Sequence, residues 1–141
     1  MSHSTHIRIR GYHLDFYGHV NNARYLEFLE EARWAYLETG VDLGFWKRKG
    51  LSFVIAAVTI NYRRPVTLGD TIEVRSHVAR VGGKSGVIHQ EVYSEKTGKL
   101  AADADVTFVV VDTTTGRSVA IDGEIREQLE ERRAGTDGED A

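Results

Sequence analysis

The chain predicts an α+β fold, with one long helix packed on one face of a curved antiparallel sheet. Two observations carry this expectation. Ala23 to Glu38 runs without Gly or Pro and spaces its apolar residues as a helix does. Beyond residue 50, four strand-like segments follow one another through short turns, and short turns demand antiparallel neighbours.

In chain order, Thr5 to Gly11 alternates Ile7 and Ile9 with His6, Arg8 and Arg10, the period of a strand with one buried face. Tyr12 to Asn21 reads as a polar loop. Asn21 or Asn22 is the expected helix N-cap, because its side-chain carbonyl can accept from a free helix N–H. The helix runs to about Thr39, with Gly40 as its C′ stop. Tyr25, Leu29, Ala32 and Tyr36 share one face, with Leu26, Phe28 and Leu37 beside it, a wide stripe that marks a largely enclosed helix. Arg24, Glu27, Glu31 and Glu38 form the other face.

Val41 to Lys49 is expected to form a short second helix or turn, ended by Gly50. Leu51 to Arg63 is a long apolar strand, and Pro65 ends its regular pairing. Thr71 to Val81 alternates again, Gly82-Gly83 turns the chain, and Ser85 to Ser94 returns. A second turn at 95–98 leads into Leu100 to Asp112, which ends in the apolar run Phe108-Val109-Val110-Val111. Thr113 to Gly116 is a turn, and Arg117 to Ala120 a strand extension. Ile121 to Arg133 reads as a terminal helix with Asp122 as N-cap. The single domain is expected to span 1–134, followed by an acidic, disordered tail at 135–141.

The totals exclude several function classes. With 141 residues and no break in composition, one domain is expected. The absence of cysteine removes disulfides, thiolate metal sites and a Cys nucleophile. A net charge of −3 does not make a general nucleic-acid footprint. The longest apolar stretch, Phe53 to Ile60, is too short to span a membrane. No apolar run follows Met1 to Thr5 as a signal peptide would require, so a cytoplasmic setting is expected. The long strand 51–63 would leave an exposed edge or face unless paired, so at least a dimer is expected.

Chemistry concentrates before the long helix, where Asp15, Gly18, His19, Asn21 and Asn22 lie close in sequence. Asp15 has two readings. It can be a turn residue that binds nearby backbone N–H groups, or a carboxylate in a partly apolar cleft, with a helix N-terminus to hold a substrate oxygen. His19, four residues on, can touch Asp15 across a turn, or serve structurally. His77 and His89 can face each other on adjacent strands, but two ligands do not make a metal site. No metal and no cofactor are expected. A serine-hydrolase elbow is absent. Gly82-Gly83-Lys84-Ser85 fails as a P-loop, since position 78 is Val and a strand follows. Lys84, with Arg63 and Arg64, can instead form a local basic patch for a phosphate-bearing ligand.

Residues 11 to 33, Gly-Tyr-His-Leu-Asp-Phe-Tyr-Gly-His-Val-Asn-Asn-Ala-Arg-Tyr-Leu-Glu-Phe-Leu-Glu-Glu-Ala-Arg, resemble the signature of hotdog-fold acyl-CoA thioesterases of the 4-hydroxybenzoyl-CoA thioesterase type. They are most similar to the bacterial long-chain enzymes. The likeness continues through Asn61-Tyr62-Arg63-Arg64-Pro65, Gly83-Lys84-Ser85-Gly86 and Gly123-Glu124-Ile125-Arg126-Glu127, and so covers about residues 5 to 133. It implies the hotdog fold, in which an antiparallel sheet wraps a long helix. It also implies homodimers or homotetramers with active sites at the dimer interface, and an acyl-CoA substrate. Asp15 matches the family's catalytic Asp, and Asn22 the position whose backbone N–H meets the thioester carbonyl. Arg63, Arg64, Lys84 and Ser85 are the candidate CoA contacts. The plant acyl-carrier-protein thioesterases share the His-Val-Asn-Asn run, with a His at the position of His19. Their pattern has Asn where this chain has Tyr17, so His19 is expected either in catalysis or in positioning Asp15 or water.

The resemblance thus implies hydrolysis of long-chain fatty acyl-CoA, with Asp15 as general base or nucleophile. The alternatives are a thioesterase for short-chain, aromatic or carrier-protein thioesters, and a non-catalytic acyl-CoA-binding module.

Overall fold

The computed structural model describes residues 2–133, so the predicted tail at 135–141 lies outside the described residues. Five strands form one antiparallel sheet. They are β1 (His3–Arg8), β2 (Leu51–Tyr62), β3 (Thr71–Val81), β4 (Ser85–Ser94) and β5 (Leu100–Asp112), in the order β1-β3-β4-β5-β2. Helix α1 (Asn22–Gly40) crosses one face, α2 (Leu43–Arg48) leads into β2, and α3 (Gly123–Glu131) packs against β3. Strands β3, β4 and β5 have the predicted bounds. β1 starts and ends earlier than expected. Arg117 to Ala120 forms the bridge Val111–Ser118 and the bonds from Asp112 N–H to Arg117 O and from Val119 N–H to Val110 O rather than a strand.

Burial alternates strictly along β4, and along β3 up to the bulge after Val78. Inward residues meet Tyr25, Phe28, Leu29, Ala32, Tyr36 and Leu37 of α1 in two contiguous apolar clusters. Burying each large side chain stabilises the fold by roughly 1.5–3 kcal/mol. Leu26, expected beside this stripe, is instead 46% exposed, and Trp34 is 52% exposed. Both lie on the flank of α1 that the sheet does not cover.

β2 explains why. It is an edge strand of 12 residues, and residues 54–59 are exposed on both faces. Val58 pairs with buried Val106, so it points to the core side of the sheet, yet it stays open to solvent. A long apolar edge of this kind is a template for another strand.

Gly40 does not act as a left-handed stop. It is the last helical residue, and Val41 caps the helix from extended backbone. Its lack of a side chain matters because the Arg132 guanidinium lies directly over it, where a Cβ would collide. From there Arg132 donates to Tyr36 O at 3.1 Å and Thr39 Oγ1 at 2.7 Å, bringing a positive charge to the helix C-terminus.

Two buried polar groups tie the layers together. Gln90 is fully buried in β4 and donates to Leu29 O (3.0 Å) and Ser76 Oγ (2.9 Å), while Arg33 donates to its Oε1 at 3.2 Å. At the β3 bulge the Val78 N–H donates to the Tyr36 hydroxyl at 2.8 Å, which in turn donates to Arg132 O at 3.0 Å. On the opposite face His77 and His89 do pair across β3 and β4, 5.7 Å between ring centroids. His89 also meets Asp105 at 2.8 Å. Among the described residues no group of three His, Asp or Glu adopts metal-ligand geometry. No described helix is long and apolar enough to cross a membrane.

Tyr36→Phe keeps the ring and removes the hydroxyl bridge. Chemical denaturation should show a loss of about 1–2 kcal/mol, the range for a buried donor that loses one partner.

Candidate active site

The loop before α1 is braced on both sides. Val20 N–H donates to Val66 O at 2.9 Å, and Asn21 N–H to His13 O at 2.9 Å. His13 is itself buried, edge-on to Phe28 with ring centroids 4.9 Å apart. Burial, and then the Arg24 charge, hold its imidazole below its ordinary pKa. That matches its neutral role, since Nδ1 accepts the Arg10 N–H at 2.9 Å. Asn21 is the N-cap, with Oδ1 accepting from Ala23 N–H at 2.9 Å. Asn22 is therefore the first helical residue, and among the described residues its N–H has no acceptor.

Asp15 adopts the turn geometry of its simpler reading. Its Oδ1 accepts from Tyr17 N–H (2.9 Å) and His19 N–H (3.2 Å). Its own N–H donates to His19 O, and Gly18, at φ +78°, closes the loop. The two readings are compatible, because those bonds hold one carboxylate oxygen and leave Oδ2 without a partner among the described residues. Asp15 lines a cavity of about 250 Å³ together with His19, Asn22, Tyr25, Tyr62, Arg63 and Arg64. A carboxylate and a helix N-terminus thus border one polar cleft, the pairing that acyl transfer needs: a base or nucleophile and an oxyanion donor.

A match to the thioesterase-like superfamily spans residues 9–129. The chain belongs to the thioesterase-like superfamily. It is 47% identical over 127 residues to the long-chain acyl-CoA thioesterase FadM of Escherichia coli strain K12, covering 90% of this chain and 96% of that one. It is 30% identical to the acyl-CoA thioesterase YbgC of Haemophilus influenzae, covering 77% and 80% of the two chains. The crystal structure of YbaW from E. coli, described as a probable thioesterase, superposes with a TM-score of 0.86. Identity there is 46%, over 92% of this chain and 97% of the other. The sheet wrapped round α1 is accordingly the hotdog fold of this superfamily.

In this superfamily member Asp15, His19 and Asn22 come together as the sequence motif implies. The expected single basic patch does not form within the chain. Arg63 and Arg64 follow β2 beside Ala101, whose carbonyl accepts both their backbone N–H groups. Ser85 pairs with Val109, whereas Tyr62 pairs with Ala102. Those two points on β5 are about 23 Å apart at 3.3 Å per residue. Lys84 and Ser85 therefore sit at the opposite end of the sheet. Arg63 is also partly committed, since its Nε donates to Asp103 Oδ2 at 2.9 Å. That bond, and the charge with it, hold the Asp103 carboxyl below its usual range.

Tyr62 is a site residue that pattern reading passes over. Its hydroxyl donates to Asn22 O at 3.0 Å, and its ring stands edge-on to Tyr25 at 5.3 Å. Burial, then the neighbouring Tyr62 and Asp70, push the Tyr25 phenol up to about 12. It therefore stays neutral and packs the base of the cleft. Its place directly before Arg63 in the shared run at 61–65 was the available signal.

Gly18→Ala would place a side chain in left-handed backbone, at about 1–2 kcal/mol of strain. Calorimetry should show lower stability, and thioester hydrolysis should fall although Asp15 is still present.

Proposed function

We propose that this thioesterase hydrolyses long-chain fatty acyl-CoA to free fatty acid and CoA in the cytoplasm. The observation that carries the reading is the Asp15 carboxylate, with one oxygen held by two loop N–H groups, bordering the same cleft as the first turn of α1. The similarity to a long-chain acyl-CoA thioesterase over nearly the whole of both chains supports the substrate class.

The chemistry suits a thioester. The leaving thiol has a pKa near 8.5 on the model scale, so a strong general acid is not required. The thioester carbonyl oxygen accepts from the Asn22 N–H, which gains strength as negative charge develops on that oxygen. One such donor is worth roughly 2.7–4 kcal/mol in an acyl-transfer transition state. Asp15 Oδ2 supplies the second element. As a base it takes a proton from water as the water oxygen bonds to the carbonyl carbon; the tetrahedral adduct then collapses and expels CoA thiolate. As a nucleophile it attacks the carbon itself, expels the thiolate and leaves an acyl anhydride that water opens. His19, on the same cleft, positions Asp15 or the water in either course.

We infer a homodimer in which the β2 edges of two copies pair antiparallel around a two-fold axis. That pairing would extend the sheet and cover the exposed Val54, Ile55 and Val58. It would also set the Tyr62 end of one β2 beside the Leu51 end of the other. The turn bearing Lys84 and Ser85 lies at that Leu51 end of the sheet, because Ser85 pairs with Val109 and Leu51 with Asp112. The four candidate CoA contacts would then converge across the interface, where Lys84, Ser85 and the N–H groups of Arg64 other than the one that donates to Leu100 O at 2.8 Å would hold phosphate oxygens. Two such dimers can associate further into a homotetramer.

Asp15→Asn retains an Oδ1 acceptor for the loop and removes the base. Its kcat/KM on palmitoyl-CoA should fall about 10²–10⁴-fold, with melting temperature close to wild type. Full activity in this variant would overturn the mechanism, and tight binding of acyl-CoA by the wild type without turnover would favour a binding module. Sedimentation velocity at micromolar concentration should give a dimer or larger; a pure monomer would contradict the β2 pairing.

A further inference from the structure

The end of β2 that borders the reaction cleft is gripped from the other side of the sheet. Asp103 lies in β5 between Ala102 and Ala104, which are buried, so its own side chain turns to the outer face. Its Oδ1 accepts from Asn61 Nδ2 at 2.9 Å, and its Oδ2 from Arg63 Nε at 2.9 Å. One carboxylate thus holds the residues on either side of Tyr62. The Arg63 bond first of all keeps that carboxyl below its usual range, so Asp103 is ionised at neutral pH and both bonds are charge-assisted. Its side chain is only 15% exposed, which shields the grip from water better than a free surface pair would be. The backbone repeats the hold. Tyr62 pairs with Ala102, and the N–H groups of Arg63 and Arg64 donate to Ala101 O at 2.7 and 3.1 Å.

The grip fixes the direction of Tyr62. Successive side chains of a strand point to opposite faces, so with Asn61 and Arg63 turned outward, Tyr62 is turned toward α1. There its hydroxyl donates to Asn22 O at 3.0 Å, and its ring stands edge-on to buried Tyr25. A phenol is a rigid arm with two side-chain torsions, so the place where β2 ends decides where the hydroxyl lies. The mouth of α1 is then held from two sides. Asn21 N–H on His13 O holds it from the loop, and Tyr62 holds the carbonyl of the first helical residue from the strand. A carbonyl oxygen has two acceptor positions, so this bond adds to the helix ladder without competing with it. Asp15, Asn22 and Tyr62 line the same cleft. A misplacement of about 1 Å among reacting groups can cost on the order of 10²-fold in rate, so a bond that fixes the Asn22 peptide matters beyond its own strength.

We propose that Tyr62 is a positioning residue of the hydrolysis, and that Asp103, on the opposite face of the sheet, sets it by gripping Asn61 and Arg63. This rests on the thioesterase activity proposed above. The influence runs from Asp103 through the end of β2 to the Tyr62 hydroxyl, and from there to the first turn of α1, whose N–H meets the thioester.

The test compares three variants with the wild type on palmitoyl- and hexanoyl-CoA. Tyr62→Phe keeps the ring against Tyr25 and removes the bond to Asn22. Its kcat should fall about five- to ten-fold, the effect of one lost hydrogen bond, with KM little changed. Asp103→Ala lies away from the cleft, yet its kcat should fall by about three-fold or more with KM again little changed. The double variant should stay close to Tyr62→Phe alone, because without the hydroxyl the grip has nothing left to set. Amide hydrogen exchange should quicken in the first turn of α1 in each variant and stay as in the wild type around Tyr36, which also shows that the fold is intact.

An unchanged kcat in Tyr62→Phe would overturn the proposal, as would losses that multiply in the double variant. A raised KM at constant kcat would place these residues in substrate binding and overturn it equally. A wild type that hydrolyses neither ester would instead defeat the thioesterase reading itself, and this proposal with it.

Discussion

The start of α1 depends on one short bond, from Ala23 N–H to the Asn21 side chain. That bond ends the loop and begins the helix, and so decides which N–H groups face the cleft. An N-cap of this kind contributes about 1 kcal/mol, but its positional effect is larger than its energy. If the helix began one residue later, the donors at its mouth would rotate by about 100° and the helix would present different N–H groups at the cleft that Asn22 shares with Asp15. The flanking bonds Asn21 N–H to His13 O and Val20 N–H to Val66 O hold the cap in place against the sheet side of the molecule. Buried, neutral His13 belongs to this brace rather than to the chemistry.

The two ends of α1 are fastened differently. Its C-terminal half is fastened by Tyr36, by Arg132 lying over Gly40 and by the α3 segment packed on β3. Its N-terminal turn is held by the bond from Asn21 N–H to His13 O and by the Tyr62 hydroxyl on Asn22 O, and it borders the Asp15 cleft. Between them runs the flank with Leu26 and Trp34, whose exposure parallels that of β2. Helix and strand thus leave one continuous uncovered surface, and a second copy would cover both at once.

Much of this was legible in the residues. β3, β4 and β5 came through with their bounds because the turns between them are marked by Gly and their faces largely alternate. The N-cap at Asn21 and the gathering of Asp15, His19 and Asn22 were legible because they lie within eight residues of one another. What failed was what depends on distance in the chain. The burial of Leu26 could not be judged without knowing that β2 lies at an edge. Gly40 looked like a left-handed stop because nothing local announces a guanidinium from residue 132. Arg63 and Lys84 looked like neighbours because sequence does not show that they sit at opposite ends of β5. Tyr62 was hidden for a related reason: its partner is a backbone carbonyl 40 residues away.

Gln90 has a consequence for how the strands choose their partners. Along β4 its neighbours His89 and Glu91 face outward, while Gln90 carries its amide into the core. Its amide meets a helix carbonyl, a serine hydroxyl and an arginine, a set available at one depth only. Shifting β4 by one residue would carry an imidazole and a carboxylate into that apolar space and strand the amide outside. An apolar residue at this point would pack well and leave the alternatives closer in energy. The buried amide therefore serves as an alignment key, through which the sheet accepts one order of contacts with α1 and rejects the shifted ones while the chain is still folding.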